Sequence, residues 1–287
     1  MALKQVTQQE GALDIAPIPF SAKVETMLSA YGKIVVAPST NNWAIHLNLR
    51  NGNKRLLKRE VRIALNQAIH QANLLNFTYD GEGLVKPTLE SPLYEGMARA
   101  TRNLKPYSEV RDEPEQTAKL KAVLDGLSLN VITQERFEFL WKGIEFQLAK
   151  VGVKLNFEVT NSEKVVFDQL LSTNALKNTK ASDLLIWGDD DWHNSLWSAF
   201  LVYRTHNHRS TIFRDPVLDG FIEDVFRATR GTEAYGKSVD NVVRHVYENA
   251  YMLVVPAPNQ VFAINKEVDY HPCISPPLCV VNTESAA

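Results

Sequence analysis

Leu127-Ser128-Leu129-Asn130-Val131-Ile132 opens the stretch that decides the fold, and Leu184-Leu185-Ile186-Trp187 closes it. The first run alternates apolar and polar residues, as a half-buried strand does. Thr133 then reads as a helix N-cap, with Glu135 in the first turn where the helix dipole favours an acid. Phe137, Leu140, Trp141, Ile144 and Leu148 follow at three- and four-residue steps and make one apolar helical stripe. Gly152 stands where a left-handed helix terminus wants a residue without Cβ. Val153, Leu155, Phe157 and Val159 alternate with Lys154, Asn156 and Glu158, which predicts a second half-buried strand. A helix over about 163–172 leads to the closing strand. The order strand–helix–strand–helix–strand is that of parallel neighbours joined by right-handed crossovers, so the expected class is α/β.

Working outward toward the C-terminus, Gly188 and three consecutive acids, Asp189, Asp190 and Asp191, precede a helix expected over about 192–204. Two more helices are expected at about 216–229 and 236–249. Two strands, Met252–Val255 and Gln260–Ile264, are joined by Pro256-Ala257-Pro258-Asn259. Toward the N-terminus, residues 12–49 hold short strand-like pieces such as Ile34–Val36 and Ala44–Leu49. Arg55 to about Asn76 reads as one helix, with Leu57, Val61, Leu65, Ala68 and Leu75 on its apolar stripe and Lys58, Arg62 and Gln71 between them. Residues 79–114 read as a long loop, opened by Asp80-Gly81 and Gly83 and punctuated by Pro87, Pro92, Pro106 and Pro114. A loop of that length inside a compact domain is functional or packed on itself.

The composition excludes several classes. Of 287 residues, 45% are hydrophobic, enough apolar matter to bury. The 31 basic and 33 acidic residues leave a net charge of −2, so no electrostatic footprint points to nucleic acid or to an anionic membrane. No apolar run reaches the roughly 20 residues of a spanning helix. Met1 to Gly11 is polar and lacks the pattern of a signal peptide. Cys273 and Cys279 are too few for a disulfide framework or a structural zinc site, and are expected to be free or locally paired thiols without a redox role. There is no Gly-rich phosphate loop, no G-x-S-x-G and no H-E-x-x-H, so a non-enzyme without cofactor or bound metal is expected.

The acidic triplet carries two readings. Its carboxylates could receive a cation or an ammonium group at the carboxyl ends of sheet strands, where α/β folds bind ligands. Alternatively Asp190 or Asp191 caps the next helix and the others are solvated, which is the commoner fate of such acids. His193, His206 and His208 fall on or after the following helix. His206 and His208 form H-x-H, which can bind a transition metal, but His193 and His206 are thirteen residues apart, roughly 20 Å along a straight helix, too far to share an ion unless the helix ends early, so surface or loop histidines are the expected reading. Of Trp187, Trp192 and Trp197, the last is expected in the core, while Trp187 or Trp192 lines a cleft.

These residues resemble a known family. Leu13-Asp14-Ile15-Ala16, Leu47-Asn48, Val61-Arg62-Ile63-Ala64-Leu65-Asn66-Gln67-Ala68-Ile69, Leu148–Leu155 and the Asp183–Trp187 strand match, in order and spacing, runs of the extracytoplasmic substrate-binding proteins of ABC importers, dipeptide/oligopeptide/nickel-binding type. The resemblance runs from about residue 12 to about 268. The helix from Val61 is its most specific part. Two places depart from the family pattern: His70-Gln71 stands for its usual Asp-Arg pair, and Asp190-Asp191-Trp192-His193 stands for its Asp-Tyr and proline turn.

The resemblance implies a single α/β lobe of periplasmic-binding-protein type, with a mixed β-sheet flanked by helices. It divides the chain into residues 1–49, an N-terminal segment with hinge-crossing strands; residues 50–250, the substrate-binding second lobe; and residues 251–287, returning crossing strands and a Pro-rich tail. The first lobe of the family precedes the Leu13–Ala16 region, so it is expected to be missing here. The implied function is capture of a small peptide or similar solute in an interlobe cleft for delivery to a membrane ABC permease, in a periplasmic or extracytoplasmic setting. Asp190 corresponds to the aspartate that takes a peptide's α-ammonium in the family, and Trp187 to the tryptophan that begins its motif. With Asp189, Asp191 and Trp192 they form the expected ligand-binding set. The alternative is a ligand-sensing module of a receptor or regulator built on the same lobe.

Overall fold

The computed structural model describes residues 6–8, 13–20, 23–38, 42–110, 114–172, 182–189, 196–207, 210–272 and 284–285. The strands used below are β1 (Ile15–Pro17), β2 (Gly32–Ala37), β3 (Asn42–Leu47), β4 (Gly83–Leu84), β5 (Ser128–Thr133), β6 (Lys154–Val159), β7 (Leu184–Asp189), β8 (Met252–Leu253), β9 (Ala257–Pro258) and β10 (Gln260–Asn265). The helices are α1 (Lys23–Met27), α2 (Arg59–Ala68), α3 (Gln71–Tyr79), α4 (Met97–Ala100), α5 (Pro114–Leu124), α6 (Glu138–Ala149), α7 (Glu163–Ser172), α8 (Leu196–Tyr203), α9 (Pro216–Arg227) and α10 (Glu233–Asn249).

β5 pairs in parallel with both β6 and β7, as the crossover pattern predicts. β3 lies antiparallel to β7, and β8 antiparallel to β3, giving a mixed five-stranded sheet in the order β6-β5-β7-β3-β8. A separate antiparallel sheet, β1-β10-β2, stands beside it. β3 and β8 therefore belong to the large sheet, while β1, β2 and β10, from the same two flanking segments, form the small one.

The two-residue period of the strands sorts side chains onto two faces. Ile45, Leu47, Leu129, Val131, Leu155, Leu184, Ile186 and Leu253 join one core with α2, α3, α5 and α6, centred on fully buried Trp141. Its indole N–H donates to Thr133 Oγ1 at 2.9 Å. Thr133 is thus the last residue of β5 rather than a helix cap, and a short 3-10 turn, Glu135–Phe137, leads into α6. Gly152 has φ +81 and packs so close to Asp125 that a Cβ would come within 2.1 Å of its Oδ1.

The opposite face carries Ala44 and Met252 against Tyr94, Met97, α8, α9 and α10. Most of the segment expected as loop is packed here. Leu89, Tyr94 and Met97 enter the apolar core, and Lys86, Thr88, Glu90 and Ser91 are buried beside it.

The helix expected over 55–76 is broken. A 3-10 turn spans Lys54–Leu57, and Ile69 and His70 are extended between α2 and α3. The break is held by His70, whose Nδ1 accepts the Asn73 N–H at 3.2 Å, and by Gln71, which bonds both backbone groups of Lys86. The two residues that depart from the family pattern here serve as cap and clamp. Arg62, expected on a polar face, is buried; it donates to the carbonyls of Leu56, Leu57 and Asn249. One turn later Asn66 donates to Met252 O and accepts from Val254 N–H, riveting α2 to β8.

β6 is an edge strand. Leu155 is buried, but Phe157 and Val159 are exposed, so its alternation is only partly expressed in burial. Met252–Val255 and Gln260–Ile264 do not pair with each other as a hairpin would; β8 joins the large sheet, β10 the small one, and β9 between them pairs with β4. The helix expected from 192 is described from Leu196. Among the described residues no helix is long and apolar enough to cross a membrane. Cys273 and Cys279 lie outside the described residues.

Candidate ligand-binding site

The strand directions single out one end of the large sheet. β5, β6 and β7 are parallel, and β8 runs with β7 because both oppose β3. Their carboxyl ends therefore lie together, alongside the amino end of β3. Both connections to the small sheet leave from this end: β2 leads into β3, and β8 leads on to β10. A crevice at the carboxyl end of parallel strands is where open α/β sheets take ligands, because no strand continues there to fill it.

Trp187 and Asp189 sit at this end. On β7, Trp187 opposes Ala44 and Asp189 opposes Asn42 of β3. Their side chains are not described, and Asp190, Asp191 and Trp192 lie outside the described residues, as do His193 and His208. His206 is described; it is exposed, with Nε2 3.4 Å from Asp219 Oδ2. Trp197 is on α8, its side chain also undescribed.

The structure brings to the same end residues that the sequence did not single out. Trp43, which opposes Gly188, has its ring 5.3 Å from Phe137 and 5.5 Å from Tyr79, and Tyr79 meets Phe20 edge-on at 5.8 Å. This aromatic row runs from β5's end to Phe20, just past β1, and so spans from one sheet to the other. Burial pushes the Tyr79 hydroxyl well above the usual phenol range, so it stays protonated as a donor. Beyond β5, Arg136 donates to Gln134 Oε1 at 2.8 Å, lies over the Phe137 ring at 4.8 Å and comes within 3.7 Å of Glu163. A cation, a carboxylate and aromatic faces thus gather at one rim. Trp43 was readable only in retrospect, because strand register alone sets it opposite Gly188.

The other end of β7 is a structural knot. Asp183 accepts the backbone N–H of Asn53 at 2.6 Å and of Asn130 at 2.8 Å, while Asn48 donates to Ser182 O at 3.0 Å. These acceptors are engaged, and they tie β3, β5 and β7 at their shared lower edge. Asp215 is similarly occupied: it caps α9 and accepts from His245 Nε2 at 2.7 Å and from Tyr251 at 2.5 Å. Among the described residues no group of three or more His, Cys, Asp or Glu is placed to hold a metal ion.

Known structures share this fold. The ABC-transporter substrate-binding protein CtaP of Listeria monocytogenes superposes with a TM-score of 0.77 at 15% identity, over 93% of this chain and 53% of that one. The fold is that of the ABC-importer substrate-binding proteins. The murein tripeptide-binding protein MppA of Escherichia coli matches with a TM-score of 0.75 at 16% identity, over 96% and 53%. The oligopeptide-binding protein AppA of Bacillus subtilis, solved with a nonapeptide, matches at 0.71 and 17%, over 95% and 55%. The chain spans about half the length of these relatives. No family model and no curated protein matches the sequence. The resemblance read from the residues holds at the level of the fold.

Proposed function

We propose that this chain is the solute-binding lobe of an extracytoplasmic ABC-transporter-type binding protein. Its carboxyl-end rim forms one wall of an interlobe cleft that takes a small peptide or similar solute, and the closed complex is presented to a membrane permease. The observation that supports this reading most is the shared exit of both connections at the carboxyl end of the sheet, where Trp187, Asp189 and the aromatic row also lie. Two walls meeting there would exclude water and strengthen every polar contact to the ligand. Two of the named proteins bind a nonapeptide and a murein tripeptide, and backbone pairing with tolerance for side chains suits such ligands.

Asp190, next in the chain after β7, is assigned the ligand's ammonium group, with Asp189, Asp191, Trp187 and Trp192 around it. In a two-lobed protein carrying this sequence, Asp190→Asn is expected to weaken ligands with a free amino terminus by about 1.5–3 kcal/mol, the scale of a hydrogen bond to a charged group. N-acetylated ligands should lose little. Equal losses for both ligand types, or a larger loss at Asp191, would move the role off Asp190. A helix cap would show no selectivity, because Asn caps about as well as Asp. Calorimetry of this chain alone against mixed di- and oligopeptides is expected to give only millimolar binding if these residues supply one wall of the cleft; micromolar binding would refute the half-cleft reading.

A further inference from the structure

A second concave site lies among the helices that cover one face of the large sheet, on the flank of α3 and α6 where Phe77 stacks on Phe139 at 4.9 Å. It is a cavity of about 570 Å³ between α3, α5 and α6. That size falls within the range of small-molecule pockets. Its depth comes from the close approach of α3 and α6 at Gly143, where a Cβ would stand 2.5 Å from Leu74 Cδ1 and 3.2 Å from Phe77 Cδ1. Leu120 and Val151 supply buried apolar wall. Phe77 and Phe146 line it too, yet they are 54% and 66% exposed, a large apolar surface left to water.

The charged groups on this lining share one sign. Lys142 and Lys150 are the charged residues on it, and neither Asp nor Glu lines it. Lys150 Nζ rests 4.3 Å from the Phe146 ring centroid, and Lys142 meets Glu138 at 3.0 Å on the exposed helix surface. His70 Nδ1 is occupied as an acceptor by the Asn73 N–H, which leaves Nε2 of the neutral ring as a further donor. An apolar trough rimmed by donors and cations complements a molecule with an apolar body and an anionic head.

We propose that this groove is a ligand site for an anionic amphiphile, an alkyl or aryl chain ending in a carboxylate. The chain lies against Phe77, Phe146 and Leu120, and the carboxylate meets the Lys142 and Lys150 ammonium groups. The probe is sodium decanoate, kept below its micelle concentration and titrated calorimetrically into the full chain. One-to-one saturable binding is expected. Decyltrimethylammonium, with the same chain and the opposite head charge, is expected not to bind. The double variant Lys142→Glu/Lys150→Glu should weaken decanoate about tenfold, the summed effect of two exposed charge contacts reversed. Phe146→Ser should weaken it through the apolar wall instead. All three positions are on exposed helix surface, so unchanged thermal unfolding is expected of these variants; if the charge reversal lowers it, Lys142→Gln/Lys150→Gln replaces it with the same expected direction. No saturable heat, several equivalent sites, equal binding of the cationic amphiphile, or unchanged affinity in the lysine variants would overturn the proposal.

Discussion

The two faces of the large sheet are built on different principles. The face covered by α2, α3, α5 and α6 is a broad apolar core around Trp141, Ile144 and Leu65, and its buried polar side chains Arg62, Asn66 and Thr133 are hydrogen-bonded at its margins. The face covered by the 85–110 segment and by α8, α9 and α10 has polar and charged groups set into it: His46 from β3, then Lys86, Glu90 and Tyr203. On the first face packing of apolar side chains dominates. On the second, each buried polar group also needs a partner, because an unpaired one forfeits its hydration. Lys86 donates to Leu89 O and is attracted by Glu90; burial lowers its ammonium pKa to about 8 and raises the Glu90 carboxyl. The polar face is therefore the more breakable of the two.

Breaking the comparison hardest means removing one member of that pair. Lys86→Met should destabilise the fold by about 3–5 kcal/mol, the cost of stranding a buried charge, and Lys86→Met/Glu90→Leu should recover most of it. Ile144→Val, on the apolar face, should cost only about 0.5–1.5 kcal/mol. Urea unfolding measures all three. A loss at Lys86 no larger than that at Ile144 would erase the distinction between the faces.

His46 tests the same contrast through pH. Burial lowers its pKa from 6.5 to about 4, and its Nδ1 has no partner among the described residues. Between those values the unfolded chain binds a proton that the folded chain refuses. Stability from this group is thus complete above about pH 6.5 and is lost as pH falls toward 4, by about 3 kcal/mol in total. Subtracting the pH profile of His46→Leu from that of the parent isolates the effect. Parallel profiles would mean that His46 titrates normally in the fold.

A smaller effect than those at Lys86 and His46 lies at the edge of the polar face. Burial alone would raise the Asp215 carboxyl, but hydrogen bonds from Tyr251, the Leu218 N–H and His245 outweigh it and leave it below its ordinary value. Asp215→Ala removes this cap of α9 and should cost about 1–2 kcal/mol in thermal or urea unfolding. Asp215→Asn should retain most of the cap. A loss for Asn equal to that for Ala would shift the weight from capping to the His245 and Tyr251 contacts.

Periodicity was informative where one helix or strand meets one apolar face. The stripe from Leu140 to Leu148, the parallel β5 and β7, and Gly152 as a helix terminus all follow from short-range pattern. It misled where a side chain's partner is distant. Arg62 falls between the apolar positions of its helix, yet it is buried and reaches carbonyls at Leu56 and Asn249, the latter 187 residues away. The 79–114 segment has no period because its buried groups come from an irregular path. At the candidate rim the sequence pointed to Trp187 and the acids by likeness to a family, but not to Trp43, Tyr79 or Arg136.

By itself, then, the sequence determined the class, the direction of the parallel strands and the apolar face of the sheet, since these depend on spacings of two to four residues that any local window contains. Only the tertiary structure decided that β8 and β10 part into different sheets, that residues 86–91 go inside, and that Phe20, Tyr79, Trp43 and Phe137 form one row. Those outcomes depend on strand register and on contacts across many tens of residues, where a polar side chain's burial is settled by the partner it finds rather than by its neighbours in the chain.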